Sequence, residues 1–557
     1  MCRSCFDPSD STDPSDLINL SDPTNLSDPT NPTNLTNLTN SINPINPMNR
    51  RTFLTLACAP AVMSRVLGDS DAPAMPSGVQ SGDVTATRAM IWSRTDRAAR
   101  MFVEVSSRES MASSRVLAGP AALADGGFTA RIDLGDLTPG EPVFYRVWFE
   151  DLARPGLRSA PVAGRLRAAP LTRRPIRICW SGDTVGQGWG INERFGGLRL
   201  YETMAGHSPD LFINSGDLIY ADNPIVETVP LEDGTIWQNV TTPAKQKVAE
   251  TLDEFRGNYA YYLSDAHAQT FNAAVPNIAQ WDDHDVLNNW TPATTLESNP
   301  AYTEKSIGRL AANARQALFD YLPIRTNVDD PERIYRAYSY GPLADIFILD
   351  QRSYRGANSP NQQDEPSPQT AMLGSGQVEW LQAQLARSRA TWKIVASDQP
   401  LGLIVGDGER DGQPLYEAWA NGDGPPRGRE LELAQLLSFI KRQHIHNVVW
   451  ITADVHYAAA HEFDPRRAIF TEFSPFWEFV AGPLHAGTFG PNRVDPTFGC
   501  RAVFNAIPPD LKPNRPPSEG LQFFGTLDIE PRTGRLTTAL WNLADVKLWS
   551  VELDPER

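Results

Sequence analysis

Apolar and polar positions alternate with a period of two in the first third of the chain. The alternating stretches are residues 85–93, 100–105, 128–134 and 143–149. Successive side chains of a β-strand point to opposite faces, so this alternation predicts half-buried strands. Short strands at this spacing predict a small β-sandwich over residues 74–170.

From residue 176 onward the pattern changes, because short apolar runs now alternate with stretches of helical periodicity. The apolar runs, which we predict to be buried strands, are residues 176–181, 211–215, 276–281, 344–349, 393–397 and 447–453. The helical stretches are residues 247–263, 304–321, 376–389 and 430–443, and a terminal β segment covers 521–529 and 536–543. This order predicts an α/β catalytic domain, layered around its sheets, over residues 175–550.

The first 73 residues differ from both regions. Residues 1–47 repeat Asp-Pro, Asn-Leu and Asn-Pro units without an apolar face, which predicts disorder. Residues 48–73 contain Arg50 and Arg51 before a short apolar stretch, the pattern of a twin-arginine export signal. Such signals are N-terminal, which suggests the hypothesis that Met48 is the true start and that residues 1–47 are not translated. We expect export to the periplasm or the extracellular space, and we expect no transmembrane segment.

The composition narrows the classes of function. The chain has 557 residues and a formal net charge of −17, which argues against a nucleic-acid-binding surface. An anionic substrate stays compatible with this charge if bound cations reverse the local field. With only 8 histidines, a metal site must rely on carboxylates and other oxygen ligands. The 5 cysteines are too few for a disulfide framework.

Side chains that could bind a metal or take part in catalysis cluster at four predicted strand ends. They contain Asp183, then Asp217 and Tyr220, then Asp282, Asp283, His284 and Asp285, and finally Asp454 and His456. Each cluster alone is explained by a turn, a helix cap or a surface ion pair. Together they follow buried strands of one α/β domain, and three acids around a histidine repel one another unless cations neutralise them. Their joint occurrence indicates a metal site.

The order and the residue identities of these clusters resemble the motifs of the metallophosphoesterase superfamily, and specifically those of the PhoD-like alkaline phosphatases and phosphodiesterases. The resemblance is carried by residues 180–184, 215–222, 281–285, 349–355 and 453–456, and by residues 77–83 of an N-terminal β-domain. It implies a metallophosphoesterase-type layered catalytic domain preceded by a small β-sandwich.

The resemblance also implies a role for each residue. The implied metal ligands are Asp183, Asp217, Tyr220, Asp283, Asp454 and His456, with Asp217 shared between two metals and Tyr220 on ferric iron. His284 is implied as the general acid or a phosphate contact, and Arg352 is expected to face the phosphate. The family is associated with iron (Fe³⁺) and calcium together.

The chain departs from the family pattern in its first motif. Some members place a cysteine ligand there, where this chain has Asp183, with Cys179 four residues earlier inside the strand. We expect Asp183 to be the ligand, which puts iron binding in question because a hard carboxylate replaces a thiolate. The usual midway histidine is also missing, and Asp398 is a candidate replacement.

The sequence therefore predicts an exported, monomeric, metal-dependent phosphoesterase that acts on a small phosphate ester by attack of a metal-held hydroxide. One alternative is a phospholipase-D-like phosphodiesterase that acts on lipid or cell-wall polymer. A second alternative is a catalytically inactive calcium-binding surface protein.

Overall fold

Two β-sheets stacked face to face form the centre of the protein in a computed structural model, which describes residues 71–422 and 424–556. The predicted disordered segment 1–47 and nearly all of the predicted signal at 48–73 lie outside the described residues, so those predictions stay predictions.

The secondary structure begins with seven strands before residue 170. They are β1 (Val79–Gly82), β2 (Ala89–Arg94), β3 (Ala99–Ser106), β4 (Arg115–Ala122), β5 (Thr129–Leu134), β6 (Pro142–Asp151) and β7 (Val162–Arg167). Strands and helices then alternate: β8 (Ile176–Ser181), α1 (Leu200–Gly206), β9 (Leu211–Ser215), β10 (Thr228–Pro230), β11 (Ile236–Gln238), α2 (Leu252–Tyr262), α3 (Ala266–Ala274), β12 (Asn277–Gln280) and α4 (Ile307–Tyr321).

The second half of the chain repeats this alternation and ends in strands. Its elements are β13 (Arg336–Tyr340), β14 (Ala344–Ile348), α5 (Gly374–Arg387), β15 (Trp392–Ala396), β16 (Gly406–Arg410), β17 (Gln413–Tyr416), α6 (Glu430–Arg442), β18 (Val448–Thr452), β19 (Ala459–Phe463), β20 (Phe476–Val480), β21 (Cys500–Asn505), β22 (Phe523–Ile529), β23 (Leu536–Asn542) and β24 (Lys547–Leu553).

The first sheet has nine strands in the order β24-β23-β22-β8-β9-β12-β1-β2-β5. Its centre is parallel, since β9 pairs in parallel with both β8 and β12. The second sheet has seven strands in the order β13-β14-β15-β18-β20-β19-β21, and β14, β15, β18 and β20 are parallel. Parallel strands place their carboxyl ends at one edge of a sheet, where open α/β folds place their sites.

Alternation along the central strands assigns each side chain to a layer. Ile178 and Trp180 of β8 pack between the two sheets, whereas Cys179 points the other way, into the core beneath α1, α2, α3 and α4. Trp450 of β18 packs on the outer side of the second sheet, against α5 and α6. The result is a four-layer α/β/β/α arrangement, which confirms the predicted layered sheet-and-helix fold.

The N-terminal region forms the predicted β-sandwich, but one of its layers is shared. Strands β4, β3, β6 and β7 form a four-stranded sheet, while β1, β2 and β5 extend the first sheet beyond β12. Gly82 of β1 pairs with Asn277 of β12 in parallel. The apolar side chains of both layers, such as Val79 and Val103, make one buried core.

The helix predicted at residues 247–263 starts five residues later than the apolar periodicity suggests. Thr251 is the N-cap of α2, and its side chain accepts from the Glu254 N–H while Glu254 reaches back to the Thr251 backbone. This capping box satisfies N–H groups that the first helical turn leaves free, so it fixes where the helix begins.

The remaining differences concern elements without a strong local pattern. Strands β4 and β7 are half exposed at irregular positions, and the helices α1 and α3 have only 7 and 9 residues. In the described part of the chain, no helix is long and apolar enough to cross a membrane.

Candidate metal centre

Five strands of the two facing sheets end at one edge and are followed by the predicted acids and histidines of the site, while Arg352 follows a sixth strand, β14. Asp183 follows β8, Asp217 follows β9, and the Asp282–Asp285 segment follows β12. Asp398 follows β15, and Asp454 and His456 follow β18. The structure brings all of these side chains together in a buried region, as the sequence predicts from parallel strands.

The backbone at these positions adopts a conformation that L-residues rarely take. Asp183, Asp217, Asp454 and His456 have φ values of 61°, 50°, 67° and 62°. Left-handed residues other than glycine cost about 1–3 kcal/mol each and concentrate at functional sites. The tight turns point these four side chains back across the edges of the sheets.

Two glycines allow the turns to interlock. A Cβ at Gly216 would lie 2.5 Å from the Cβ of Asp282, and a Cβ at Gly182 would lie 2.7 Å from the Cβ of Ala453. Both distances are shorter than a real contact between such atoms. The close approach at the site therefore requires glycine directly after β8 and directly after β9.

The acids and histidines form three overlapping groups, each suited to hold a cation. The members of each group offer one ligand atom apiece within 4.8 Å of one another. The groups are Asp183, Asp217 and His456; Asp217, Asp283 and His284; and Asp282, Asp283 and Asp454. Asp217 belongs to the first and second groups, which is the position a carboxylate needs to bridge two cations.

The buried environment of the Asp183 carboxylate is compatible with metal binding by the residues present. Asp183 is 1% exposed, and neither of its side-chain oxygens has a hydrogen-bond partner among the described residues. A buried charge without a partner is very costly. A cation coordinated by Asp183, Asp217 and His456 would remove that cost, so the donor set fits metal binding.

Burial and mutual repulsion act together on the carboxylates. Burial, reinforced by the charges of neighbouring aspartates, raises the pKa of Asp183, Asp217 and Asp454 well above the ordinary value. Asp283 differs: burial acts to raise its pKa, but His284 and Arg352 outweigh burial and hold it at about 2. Cations bound here would favour the ionised form of every carboxylate.

Arg352 lies beneath the cluster as its fixed counter-charge. It is 0% exposed, its Nε donates to Asp282 Oδ1 at 2.5 Å, and its Nη1 donates to Glu417 Oε2 at 2.8 Å. Its Nη2 has no hydrogen-bond partner among the described residues, and lies 3.8 Å from Asp283 and 3.7 Å from Asp454. Arg352 therefore stabilises the ionised carboxylates from below, and the expected contact with phosphate stays a prediction.

His284 is held in one orientation by two partners. Its Nδ1 lies 2.8 Å from Asp222 Oδ1, and its ring stacks on Tyr220 with ring centres 4.3 Å apart. Burial lowers the pKa of His284, but the carboxylates of Asp222 and Asp283 more than reverse this and raise it to about 9. The imidazole is therefore a proton carrier with Nδ1 engaged and Nε2 left for a reacting group.

Tyr220 and His456 meet at the other side of the cluster. The Tyr220 Oη lies 2.9 Å from His456 Nε2, which in turn lies 3.8 Å from Asp183 Oδ1. His456 Nδ1 donates to the backbone carbonyl of Gly487, so the lone pair is on Nε2, which faces the Tyr220 hydroxyl and the Asp183 carboxylate. The arrangement can place a phenolate, an imidazole and a carboxylate around one cation.

Some residues of the site were not assigned a role by sequence reasoning. Asp222 orients His284, and Asp282 and Glu417 balance Arg352. Asp222 and Asp282 lie inside recognised motifs and could have been found from their neighbours. Glu417 follows β17, a short exposed hairpin strand, and no local pattern marks it. Lys245 was also missed; it is buried and donates to the Tyr220 carbonyl at 2.7 Å.

The candidate replacement ligand and the cysteines lie outside the three groups. Asp398 Oδ2 is 3.8 Å from Arg352 Nε, and Asp398 belongs to none of the three ligand groups found in the described residues. Cys179 is buried in the helix-side core, where burial raises its pKa, and Cys179 and Cys500 are both free thiols. Asp183 belongs to one of the three ligand groups, and Cys179 belongs to none of them.

Two family models match the chain over most of its length. Residues 179–540 match the family described as PhoD-like phosphatase, and residues 58–170 match the PhoD-like phosphatase, N-terminal domain. Alkaline phosphatase D of Bacillus subtilis (strain 168) is 33% identical over 267 residues, which is 46% of this chain and 42% of that protein. The alignment therefore spans less than half of this relative.

Solved structures support the same fold. The structure of PhoD has a TM-score of 0.61 and 20% identity, over 86% of this chain and 92% of that one. The purple acid phosphatase PPD1 from yellow lupin (Lupinus luteus) seeds has a TM-score of 0.51 and 12% identity, over 87% and 74%. At these identities the likeness establishes the fold.

We predict that Asp183→Asn preserves the stability of the metal-free protein but weakens metal binding. Removing one of several repelling carboxylates should leave the metal-free protein at least as stable as wild type in thermal unfolding. Metal binding should weaken by at least about tenfold, since even the loss of an outer partner of a metal ligand costs about 10–100-fold. Elemental analysis after dialysis against a limited metal supply measures this.

Asp285→Asn is the matched control, because Asp285 is equally buried but accepts hydrogen bonds from the backbone of Asp282 and Ile219. It should lower the unfolding temperature with or without metal. An Asp183→Asn protein that is destabilised when metal-free and keeps its full metal content would contradict the prediction.

Proposed function

Since the chain belongs to the PhoD-like phosphatase family, we propose that it is a metal-dependent phosphoesterase that hydrolyses phosphate mono- or diesters. The observation that carries this proposal is the position of Asp217, a buried carboxylate shared by two groups of metal-ligand atoms. Two adjacent cations suit the displacement at phosphorus, because they stabilise both the attacking and the leaving oxygen.

The carboxylates provide the binding and positioning. Asp183, Asp217, Asp283, Asp454, His456 and Tyr220 would hold the metal ions, which when bound supply Lewis-acid activation of water and neutralise the phosphate. Asp217 is further fixed because its Oδ1 accepts the backbone N–H of His284 at 3.0 Å. The position of the general acid is thereby tied to the position of the shared carboxylate.

His284 carries out the proton transfer in this proposal. With Nδ1 held by Asp222, Nε2 would give its proton to the leaving alkoxide, and stacking on Tyr220 prevents the ring from turning away. Arg352 helps to hold down the pKa of Asp283 and forms hydrogen bonds with Asp282 and Glu417. Its free Nη2 is the group we propose to act on the phosphate charge, directly or through the metal ligands.

For the metals we propose iron (Fe³⁺) and calcium. A phenolate and carboxylates are hard donors, which suit Fe³⁺ near Tyr220, Asp183 and His456 and Ca²⁺ near the aspartates around Asp283. The absence of a thiolate at position 183 is what makes this assignment worth testing. Elemental analysis of the purified protein that finds zinc in place of both ions would contradict it.

We further propose that the protein is exported through the twin-arginine machinery and acts as a monomer in the periplasm or outside the cell. The proposal of export rests on Arg50, Arg51 and the short apolar stretch after them. Changing both arginines to lysine should keep the protein in the cytoplasmic fraction, whereas wild type is recovered outside it. Equal recovery of both proteins in the cytoplasm would refute export by this route.

The first prediction of the proposal concerns Asp217. Asp217→Asn removes the shared charge while keeping the volume, so hydrolysis of nitrophenyl phosphate in metal-replete buffer should fall by more than the ~10²–10⁴-fold that losing a general acid costs. Asp253→Asn, at an 88% exposed side chain, is the matched control and should retain wild-type activity. Full activity of Asp217→Asn would overturn the proposal.

The second prediction separates proton transfer from metal binding. His284→Ala should slow hydrolysis of an alkyl phosphate by roughly 10²–10⁴-fold, because the alkoxide needs a proton to leave. The loss should be much smaller for nitrophenyl phosphate, whose leaving group is stable as an anion. An equal loss on both substrates would show that His284 acts by binding and not by proton transfer.

The same assays discriminate the alternative functions. Faster turnover of bis-nitrophenyl phosphate than of the monoester would favour a phosphodiesterase that acts on lipid or cell-wall polymer. Metal binding without turnover of either ester in any metal would favour a catalytically inactive calcium-binding surface protein.

A further inference from the structure

A basic cavity lies at the edge of the second sheet opposite the metal centre. It has a volume of about 690 Å³, within the roughly 300–1,000 Å³ of small-molecule pockets. Lys393 is the second residue of β15, and Asp398 follows the far end of the same strand. At about 3.3 Å per residue, the two edges are about 16 Å apart.

Charge sets this cavity apart from the rest of the molecule. In a chain with a net charge of −17, the described residues of its lining include four Lys or Arg side chains and one carboxylate. The cations are Arg173, Arg389, Lys393 and Arg532, and the carboxylate is Glu556. The cations come from three separate segments that only the fold brings together, so the cluster is a product of tertiary structure.

The carboxylate of the lining residue Glu556 already has a partner of its own. Glu556 Oε2 lies 2.5 Å from His446 Nδ1, and the Glu556 backbone exchanges hydrogen bonds with the side chain of Asn447 at 2.8 and 3.0 Å. Glu556 therefore closes one wall and is engaged by His446. Glu530, which interacts electrostatically with Arg532, lies outside the lining and accepts from the backbone N–H groups of Arg532 and Thr533 at 2.9 and 2.7 Å. Asp345, which is near Lys393, is outside the lining and accepts from Ser388 Oγ at 2.6 Å.

The cations themselves have spare hydrogen-bonding capacity. Neither Arg389 nor Arg532 has a side-chain hydrogen bond or ion pair among the described residues, and Arg173 uses only Nε, on the Pro531 carbonyl at 2.8 Å. Lys393 is 9% exposed and donates to the Ala390 carbonyl at 2.8 Å. Several charged donors thus face one space in which Glu556 is the one lining carboxylate among the described residues.

Helix termini do not account for this arrangement. Cations near a helix C-terminus compensate its dipole within the last turn. Arg387 does so for α5, and Lys441 and Arg442 do so for α6. Arg389 and Lys393 lie beyond the last turn of α5, and Arg532 lies in the turn between β22 and β23. Compensation of a helix dipole therefore does not occupy these three cations, and the exposed guanidinium groups of Arg389 and Arg532 are available to a ligand from solvent.

We propose that this cavity binds a small ligand with two or more phosphate-type oxyanion groups. The guanidinium groups of Arg389 and Arg532 present paired N–H donors that match the oxygens of such groups. A ligand with several charges uses cations from different walls, which a single halide ion could not do. This site is separate from the metal centre and does not depend on the proposed function.

Calorimetric titration of the full chain with methanedisulfonate tests the proposal. This probe has two linked oxyanion groups, no ester bond to cleave and little affinity for metal ions. Wild type should bind one equivalent saturably. Arg389→Ala/Arg532→Ala should bind roughly 10- to 100-fold more weakly, as expected when charge-assisted hydrogen bonds are lost.

Arg309→Ala/Arg466→Ala is the matched control, because it makes the same change in net charge at two exposed arginines outside the cavity. It should bind like wild type, and all three proteins should hydrolyse nitrophenyl phosphate equally. The proposal is overturned if wild type shows no saturable binding, if the cavity variant binds like wild type, or if both double variants lose affinity to the same extent.

Discussion

Repulsion among buried carboxylates is the constraint on which the rest of this structure depends. Asp183, Asp217, Asp283 and Asp454 converge at the edges of two facing sheets, where burial alone would keep most of them protonated. Among the described residues, His284 and Arg352 oppose this effect of burial at Asp283. Arg352 forms ion pairs with five carboxylates, which include Asp283 and Asp454 but neither Asp183 nor Asp217. Cations from outside would favour the ionised form of the whole cluster, and that makes the region a candidate catalytic centre.

The scaffold supports that cluster at a local energetic cost. Four of the site residues adopt left-handed backbone conformations, and the turns that contain them interlock through Gly182 and Gly216. Packing in the two-sheet core, in which Ile178 and Trp180 are fully buried, offsets the cost of this backbone strain. A rigid core with strained edges keeps the ligand atoms in place before a metal binds, which lowers the cost of ordering them.

The two edges of the second sheet have opposite electrostatic character. Asp398 and Asp454 follow the carboxyl ends of β15 and β18, whereas Arg389 and Lys393 lie at the amino end of β15, in one cavity lining with Arg173 and Arg532. Strand direction separates these two regions by the length of a strand. The protein thus combines a cation-binding edge with an edge suited to anions, despite its strongly negative net charge.

The sequence alone determined the central strands and most of the candidate metal ligands. Continuous apolar runs ending in Gly-Asp or Asp-x-His are local signals, and parallel strands bring such ends together whatever the details of packing. The tertiary structure decided what local pattern cannot encode. Three N-terminal strands join the first sheet, Arg352 is buried between Asp282 and Glu417, and Asp222 pairs with His284. These relations join residues 62 or more positions apart, so only the packing of the sheets could fix them.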